Sequence, residues 1–278
     1  MDLDLLPGDC FAHILSLTSP RDACRSSLVS SSVRSMADLD SVWQKFLPSD
    51  YEEIIASLVS PVVYSSNKEL FLRLCSPCLI DGGKKIFSID KSTSKKCYML
   101  SAKELSITWG SHPLYWSWKP LPESRFAEVA ELICMWWLEI CGTMSTNKLS
   151  PKTFYAAYLV VKFADRAYGL DFLPSEVSIE VGSFKSQRQV YLNPNEGRKN
   201  PLGHVHSPNR PVEALRSRLL QEGRGNVCDR KDGWMEIELG SFFNGGNDKE
   251  VNISLKEVKG QHLKGGLIVE GIELRPKY

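Results

Sequence analysis

The apolar residues of this chain change period near residue 80, and that change limits the folds open to it. Upstream they recur at helical spacing: Phe11, Ile14 and Leu15, then Leu28, Val29, Val33 and Met36, and later Leu70 and Leu74. The tetrapeptide "SPRD" adds a helix start, with Ser19 as N-cap, Pro20 at the first helical position and Asp22 three residues after the cap. Downstream of "LIDGGKK" the period falls to two. In "WMEIELGSFF", Met235, Ile237 and Leu239 point one way while Glu236 and Glu238 point the other. The runs "KCYMLSA", "ELICMWWLEICG", "TFYAAYLVVKFAD", "EVNISLKEV" and "GGLIVEGIEL" behave similarly, with no crossover helix between them, so the pattern predicts an antiparallel β-sandwich. The expected class is α+β and multidomain, a small helical unit followed by the sandwich. The segment from Gly182 to Asp232, rich in Gly, Pro, Asn and Arg, reads as long loops with one helical turn in "RPVEALRSRLLQ".

Charge and cysteine usage exclude several functions. A net charge of +1 supplies no long-range field for phosphate backbones or anionic lipid, which argues against nucleic-acid and membrane partners. The first residues carry no basic n-region, and no apolar run approaches the ~20 residues a bilayer needs, so a cytoplasmic or nuclear location is expected. Eight cysteines scattered through apolar segments then read as reduced thiols. "CSPC" at 75–78 has metal-site spacing but no second half-site, and the five histidines are dispersed, with "HVH" at 204–206 in a loop segment; no metal and no cofactor are expected. No Ser/His/acid arrangement is legible, and an enzyme is not expected.

The stretch "SITWGSHPLYWSW", residues 106–118, concentrates Trp109, Tyr115, Trp116 and Trp118. Such aromatic surface serves either a buried core or a platform for flat ligands. Trp136 and Trp137, inside an almost wholly apolar run, are expected to be core.

Residues 5–46, "LLPGDCFAHILSLTSPRDACRSSLVSSSVRSMADLDSVWQKF", resemble the F-box: Leu6, Pro7, Asp9, Ile14, Leu15, Val29 and Trp43 occupy its places in order. The resemblance assigns residues 1–48 to an F-box, with 49–82 as a helical linker. It implies a Skp-type adaptor, and through it a cullin, as partners, contacted by Leu6, Pro7, Ile14, Leu15, Val29 and Trp43. The words "KKCYMLSAKELSITWGSHPLYWSW", "AELICMWWLEICG", "FYAAYLVVKFAD", "DGWMEIELGSFF" and "GLIVEGIELRP" resemble the phloem protein 2 and Nictaba-like lectins. This implies a jelly-roll-like carbohydrate-binding sandwich over 83–278. Its ligands would be glycans or glycoproteins carrying N-acetylglucosamine, with Trp109, Trp116, Glu250 and Glu257 in the binding positions.

Together the resemblances imply a non-catalytic substrate-recognition subunit of an SCF-type ubiquitin ligase. The alternative is an F-box receptor whose sandwich recognises a protein surface without sugar. For stacking, Trp116 is expected to face solvent. Strand parity turns Glu250 outward but gives Glu257 the parity of Val251, Ile253 and Leu255, so Glu257 is expected to escape burial at a bulge or strand end. Seven extended residues would separate the two carboxyls by roughly 20 Å, too far for a glycosidase pair.

Overall fold

The computed structural model describes residues 7–192 and 227–278. Six short helices come first: α1 (Gly8–Ser16), α2 (Pro20–Ser26), α3 (Ser31–Ala37), α4 (Asp40–Phe46), α5 (Tyr51–Ala56) and α6 (Asn67–Leu74). Serines start three of them. The hydroxyls of Ser19, Ser30 and Ser66 accept from the backbone N–H of Asp22, Val33 and Glu69 at 3.1, 3.1 and 3.2 Å, each satisfying one orphan donor of a first turn. Segments of six to nine residues are too short to persist alone, so their shared core decides the fold. Its centre is Trp43, 1% exposed, whose ring meets Phe46 edge-on at 5.6 Å and Phe71 at 5.3 Å. The indole N–H donates to the Ala37 carbonyl at 2.7 Å, which removes the cost of burying it.

Among the described residues fourteen strands follow: β1 (Cys78–Ile80), β2 (Lys85–Ile89), β3 (Lys96–Ser101), β4 (Ser106–Ile107), β5 (Trp116–Lys119), β6 (Val129–Leu132), β7 (Leu138–Ser145), β8 (Thr153–Tyr168), β9 (Ser175–Val181), β10 (Phe184–Val190), β11 (Val227–Asp229), β12 (Met235–Asn244), β13 (Glu250–Glu257) and β14 (Gly265–Pro276). All pairings among these described strands are antiparallel. One sheet runs β1-β2-β3-β14-β8-β12-β11, with β6 also on β14 and β5 on β6; the other runs β10-β9-β13-β7-β4. The core lies between them, with Leu159, Val161, Ile237, Leu267 and Val269 from the first sheet and Val177, Ile179, Ile253 and Leu255 from the second in one buried cluster. The class expected from the change of period, helices and then an antiparallel sandwich, is the one observed.

The pattern of "WMEIELGSFF" holds up to a bulge between Glu238 and Gly240, beyond which the parity inverts, Phe242 burying and Phe243 facing out. Gly240 sits at φ 153°, and a Cβ there would lie 2.7 Å from Ile179 Cγ2, so the bulge requires glycine.

Two expectations fail. "ELICMWWLEICG" is not one strand: β6 belongs to the first sheet and β7 to the second, and residues 133–137 cross between them. An apolar run has no periodicity to betray such a break. The loop expected from Gly182 to Asp232 contains β10, paired with β9 over seven residues, and β11. The helical turn in "RPVEALRSRLLQ" and the "HVH" pair lie outside the described residues.

The helices are fastened to the sandwich where β8 begins. Lys96 Nζ meets the Asp50 carboxylate at 3.0 Å, Leu58 bridges Ile80, and the Lys96 carbonyl accepts from the Tyr155 hydroxyl at 2.8 Å. That leaves the other end of β8, near Tyr168, roughly 40 Å of strand away at about 3.3 Å per residue. Burial raises the Cys75 thiol to about 11 and also raises that of Cys78, which keeps both protonated and unreactive at neutral pH.

Candidate ligand-binding site

At this far end the chain between β4 and β5 makes a tight turn. Gly110 N–H donates to the Ile107 carbonyl at 2.9 Å and His112 N–H to the Trp109 carbonyl at 2.8 Å. Trp109 occupies the left-handed region at φ 52°, a conformation that a bulky side chain holds only when its surroundings impose it. Two indoles do so: Trp116 Nε1 donates to the Thr108 carbonyl at 3.1 Å and Trp118 Nε1 to the Gly110 carbonyl at 2.7 Å, gripping the residues on either side of Trp109. Trp109 is 44% exposed. It tilts over Tyr115 at 5.3 Å and meets the edge of Trp136, 43% exposed, at 6.3 Å. Trp136 in turn sits edge-on to Trp137 at 5.8 Å.

One carboxylate organises this shelf. Glu139 accepts from Trp137 Nε1 at 3.1 Å and from the Thr108 hydroxyl at 3.2 Å, while Lys256 Nζ lies 2.8 Å away. The ammonium of Lys256 first, then the Trp137 indole, hold its carboxyl below the usual range, so Glu139 is ionised at neutral pH. A carboxylate can accept about four bonds, which leaves it capacity for a ligand hydroxyl or amide.

The residues implied by the lectin resemblance separate in the structure. Trp109 is on the shelf. Trp116, expected to face solvent, is 2% exposed and belongs to the core, because its strand turns that face inward. Its part is to hold the Trp109 turn rather than to stack. Trp136, expected in the core, is on the shelf because it lies in the crossing segment rather than in a strand. Glu250 is exposed and pairs in register with Ser145, whereas the shelf adjoins Glu139 six residues along β7, about 20 Å distant.

Glu257 does not escape burial. It keeps its core parity at 4% exposure, bonded through Oε1 by the Gly260 N–H at 3.0 Å and ion-paired with Lys264, itself 1% exposed. Lys264 Nζ donates to the Trp136 carbonyl at 2.6 Å, and Lys264 and Met135 exchange backbone bonds of 2.8 and 2.9 Å. Glu257 therefore reaches the shelf indirectly, through the lysine that fixes Trp136. Sequence reasoning missed Glu139 and Trp136; the one signal was the outward parity of Glu139 between the inward Leu138 and Ile140.

In the helical unit, Pro7, Ile14 and Val29 are exposed, the last two at 48% and 68%, and Leu17 and Leu28 add to that apolar surface. Leu15 and Trp43, implied as contacts, are buried at 3% and 1% and support the helices from within. Leu6 lies outside the described residues.

The molecule is thus a helical unit with an uncovered apolar face, joined to a sandwich that ends in an aromatic shelf. Comparison with known proteins gives that class its family: the F-box-like family matches residues 3–49 and the phloem protein 2 family residues 95–276. The chain is 46% identical to F-box protein PP2-B15 of Arabidopsis thaliana, covering 98% of this chain and 96% of that one. It is 45% identical to F-box protein VBF of the same plant, covering 98% and 99% respectively. The chain belongs to the F-box proteins that carry a phloem protein 2 domain. No described helix is long and apolar enough to cross a membrane.

Proposed function

We propose that this protein is the non-catalytic substrate-recognition subunit of an SCF-type ubiquitin ligase, acting in the cytoplasm or nucleus. The exposed face of Pro7, Ile14, Leu17, Leu28 and Val29 docks on a Skp-type adaptor, and the adaptor connects the protein to a cullin. The sandwich captures glycans or glycoproteins carrying N-acetylglucosamine at the shelf of Trp109 and Trp136. The observation that carries this reading is the solvent-facing tryptophan pair beside the ionised Glu139. Indole faces lie against the C–H patches of a pyranose while a carboxylate accepts from its hydroxyls or N-acetyl N–H. The shelf lies at the end of β8 remote from the helical unit, so a captured ligand leaves the adaptor face free. Glu250 and Glu257, at opposite ends of the eight-residue β13, cannot act as a hydrolytic pair.

A glycan array probed with wild-type protein, Trp109→Ala and Trp136→Ala tests the assignment. Selective binding to N-acetylglucosamine-terminated glycans, lost in both variants, is expected. A second reading, direct recognition of a protein surface, is favoured by the exposed Leu114, Ile133, Phe172 and Leu263 around the same end. An array without signal, together with partner capture that the same two variants abolish, would select it.

A further inference from the structure

Where the helical unit meets the sandwich there is a pocket of about 250 Å³ on which neither docking role draws. Three regions of the chain build it: Pro20, Arg21 and Cys24 on α2, Trp43 with Phe71 and Leu72 from the α4–α6 core, and Lys91 and Ser92 in the β2–β3 turn. Its apolar wall is Leu72, 40% exposed, with the exposed Cys24; Trp43 and Phe71, each 1% exposed, are the packed floor that holds that wall in place. Its rim carries two cations, Arg21 and Lys91, and among the described residues neither is in an ion pair. The neighbouring acids are committed elsewhere. Asp90 Oδ1 accepts from the backbone N–H of Ser92 and Thr93 and from the Thr93 hydroxyl, closing its turn, and Asp22 is bonded to the Ser19 cap and faces Arg25. Lys68, the third cation near Trp43, is paired with Asp38.

We propose that this pocket is a site for a small monocarboxylic acid with an apolar body. An apolar wall cannot solvate a charge, so the hydrocarbon part lies against Leu72 and Cys24, the lining side chains that are both apolar and exposed. The carboxylate stays at the rim, where a guanidinium offers it two parallel N–H donors and the ammonium a third. The volume sets the size: it is below the roughly 300–1,000 Å³ of sites for drug-sized ligands, which restricts the occupant to a single ring or a short chain. Such a ligand touches the F-box helices, the linker helix and the sandwich at once, so occupancy ties the three together.

The probe is 3-phenylpropionate, with its neutral counterpart 3-phenylpropanol, titrated into the full-length protein by calorimetry and by saturation-transfer NMR. The acid is expected to bind one per chain, the alcohol at least tenfold more weakly. The double variant Arg21→Gln/Lys91→Gln should lose at least tenfold in affinity for the acid with an unchanged melting temperature. Filling the pocket by Cys24→Trp should abolish binding, and Leu72→Trp, at a position 40% exposed, repeats the test should the first variant fold poorly. Four results would each overturn the proposal: no saturable binding, equal binding of acid and alcohol, binding indifferent to the charge and filling variants, or complete displacement of the acid by saturating adaptor, which would assign the pocket to the partner.

Discussion

Replacing Glu257 by Gln tests whether the carboxylate that a lectin resemblance assigns to the ligand is instead a buried support for the shelf. In the structure it neutralises Lys264, which is 1% exposed and also bonded to the Trp136 carbonyl. Removing one member of a buried pair leaves the other charge without compensation, at a cost of about 3–5 kcal/mol. For a chain of this size each kcal/mol moves the melting temperature by about 2–4 °C, so Glu257→Gln should melt roughly 6–20 °C below wild type. Glu250→Gln, at an exposed position, should melt within about 2 °C, since surface changes rarely exceed ~0.5 kcal/mol. The double variant Glu257→Gln/Lys264→Met removes the stranded charge and should regain much of the loss, although Met cannot hold the Trp136 carbonyl. Scanning fluorimetry and urea titration of the variants in parallel give the comparison. A Glu257→Gln protein as stable as Glu250→Gln would refute the buried-pair reasoning, as would a double variant less stable than the single one.

The other expectations follow the same division between support and surface. Trp116→Ala removes a fully packed indole and should cost about 3–5 kcal/mol in denaturant unfolding, whereas Trp109→Ala and Trp136→Ala should unfold near wild type. Because the folded-state value of Glu139 is depressed, its stabilising contribution is present above the ordinary carboxylate range and lost as pH falls through the depressed value. Wild type should therefore lose more stability below about pH 4 than Glu139→Gln does, measured as the pH dependence of the urea midpoint. Ile14→Asp/Val29→Asp should abolish co-purification with a Skp-type adaptor without lowering the melting temperature, while Leu15→Ala should destabilise by about 2–5 kcal/mol.

The elements that sequence exposed most clearly are those whose signal is local. The Ser19 cap and the alternation of Met235, Ile237 and Leu239 are readable because a hydroxyl or a parity acts within a few residues. What escaped depends on a neighbour distant in sequence. "ELICMWWLEICG" is continuous in hydropathy, yet Leu132 pairs with Trp116 in one sheet and Leu138 with Glu257 in the other. Only that pairing shows that Trp136 lies in a crossing segment and so faces solvent.

The same dependence explains why Trp116 and Glu257 could hold places in a binding pattern without touching solvent. A positive φ at Trp109 costs about 1–3 kcal/mol, and a buried ion pair needs well-placed partners; neither persists unless the surrounding structure over-determines it. Trp116 supplies that constraint through the Thr108 carbonyl, and Glu257 supplies it through Lys264 to the Trp136 carbonyl. Each acts on a backbone group adjacent to or within an exposed tryptophan. Losing either support would leave an exposed indole without the backbone contact that fixes it. Burial separates the two roles: Trp109 and Trp136 can meet a ligand, while Trp116 and Glu257 decide where those rings stand.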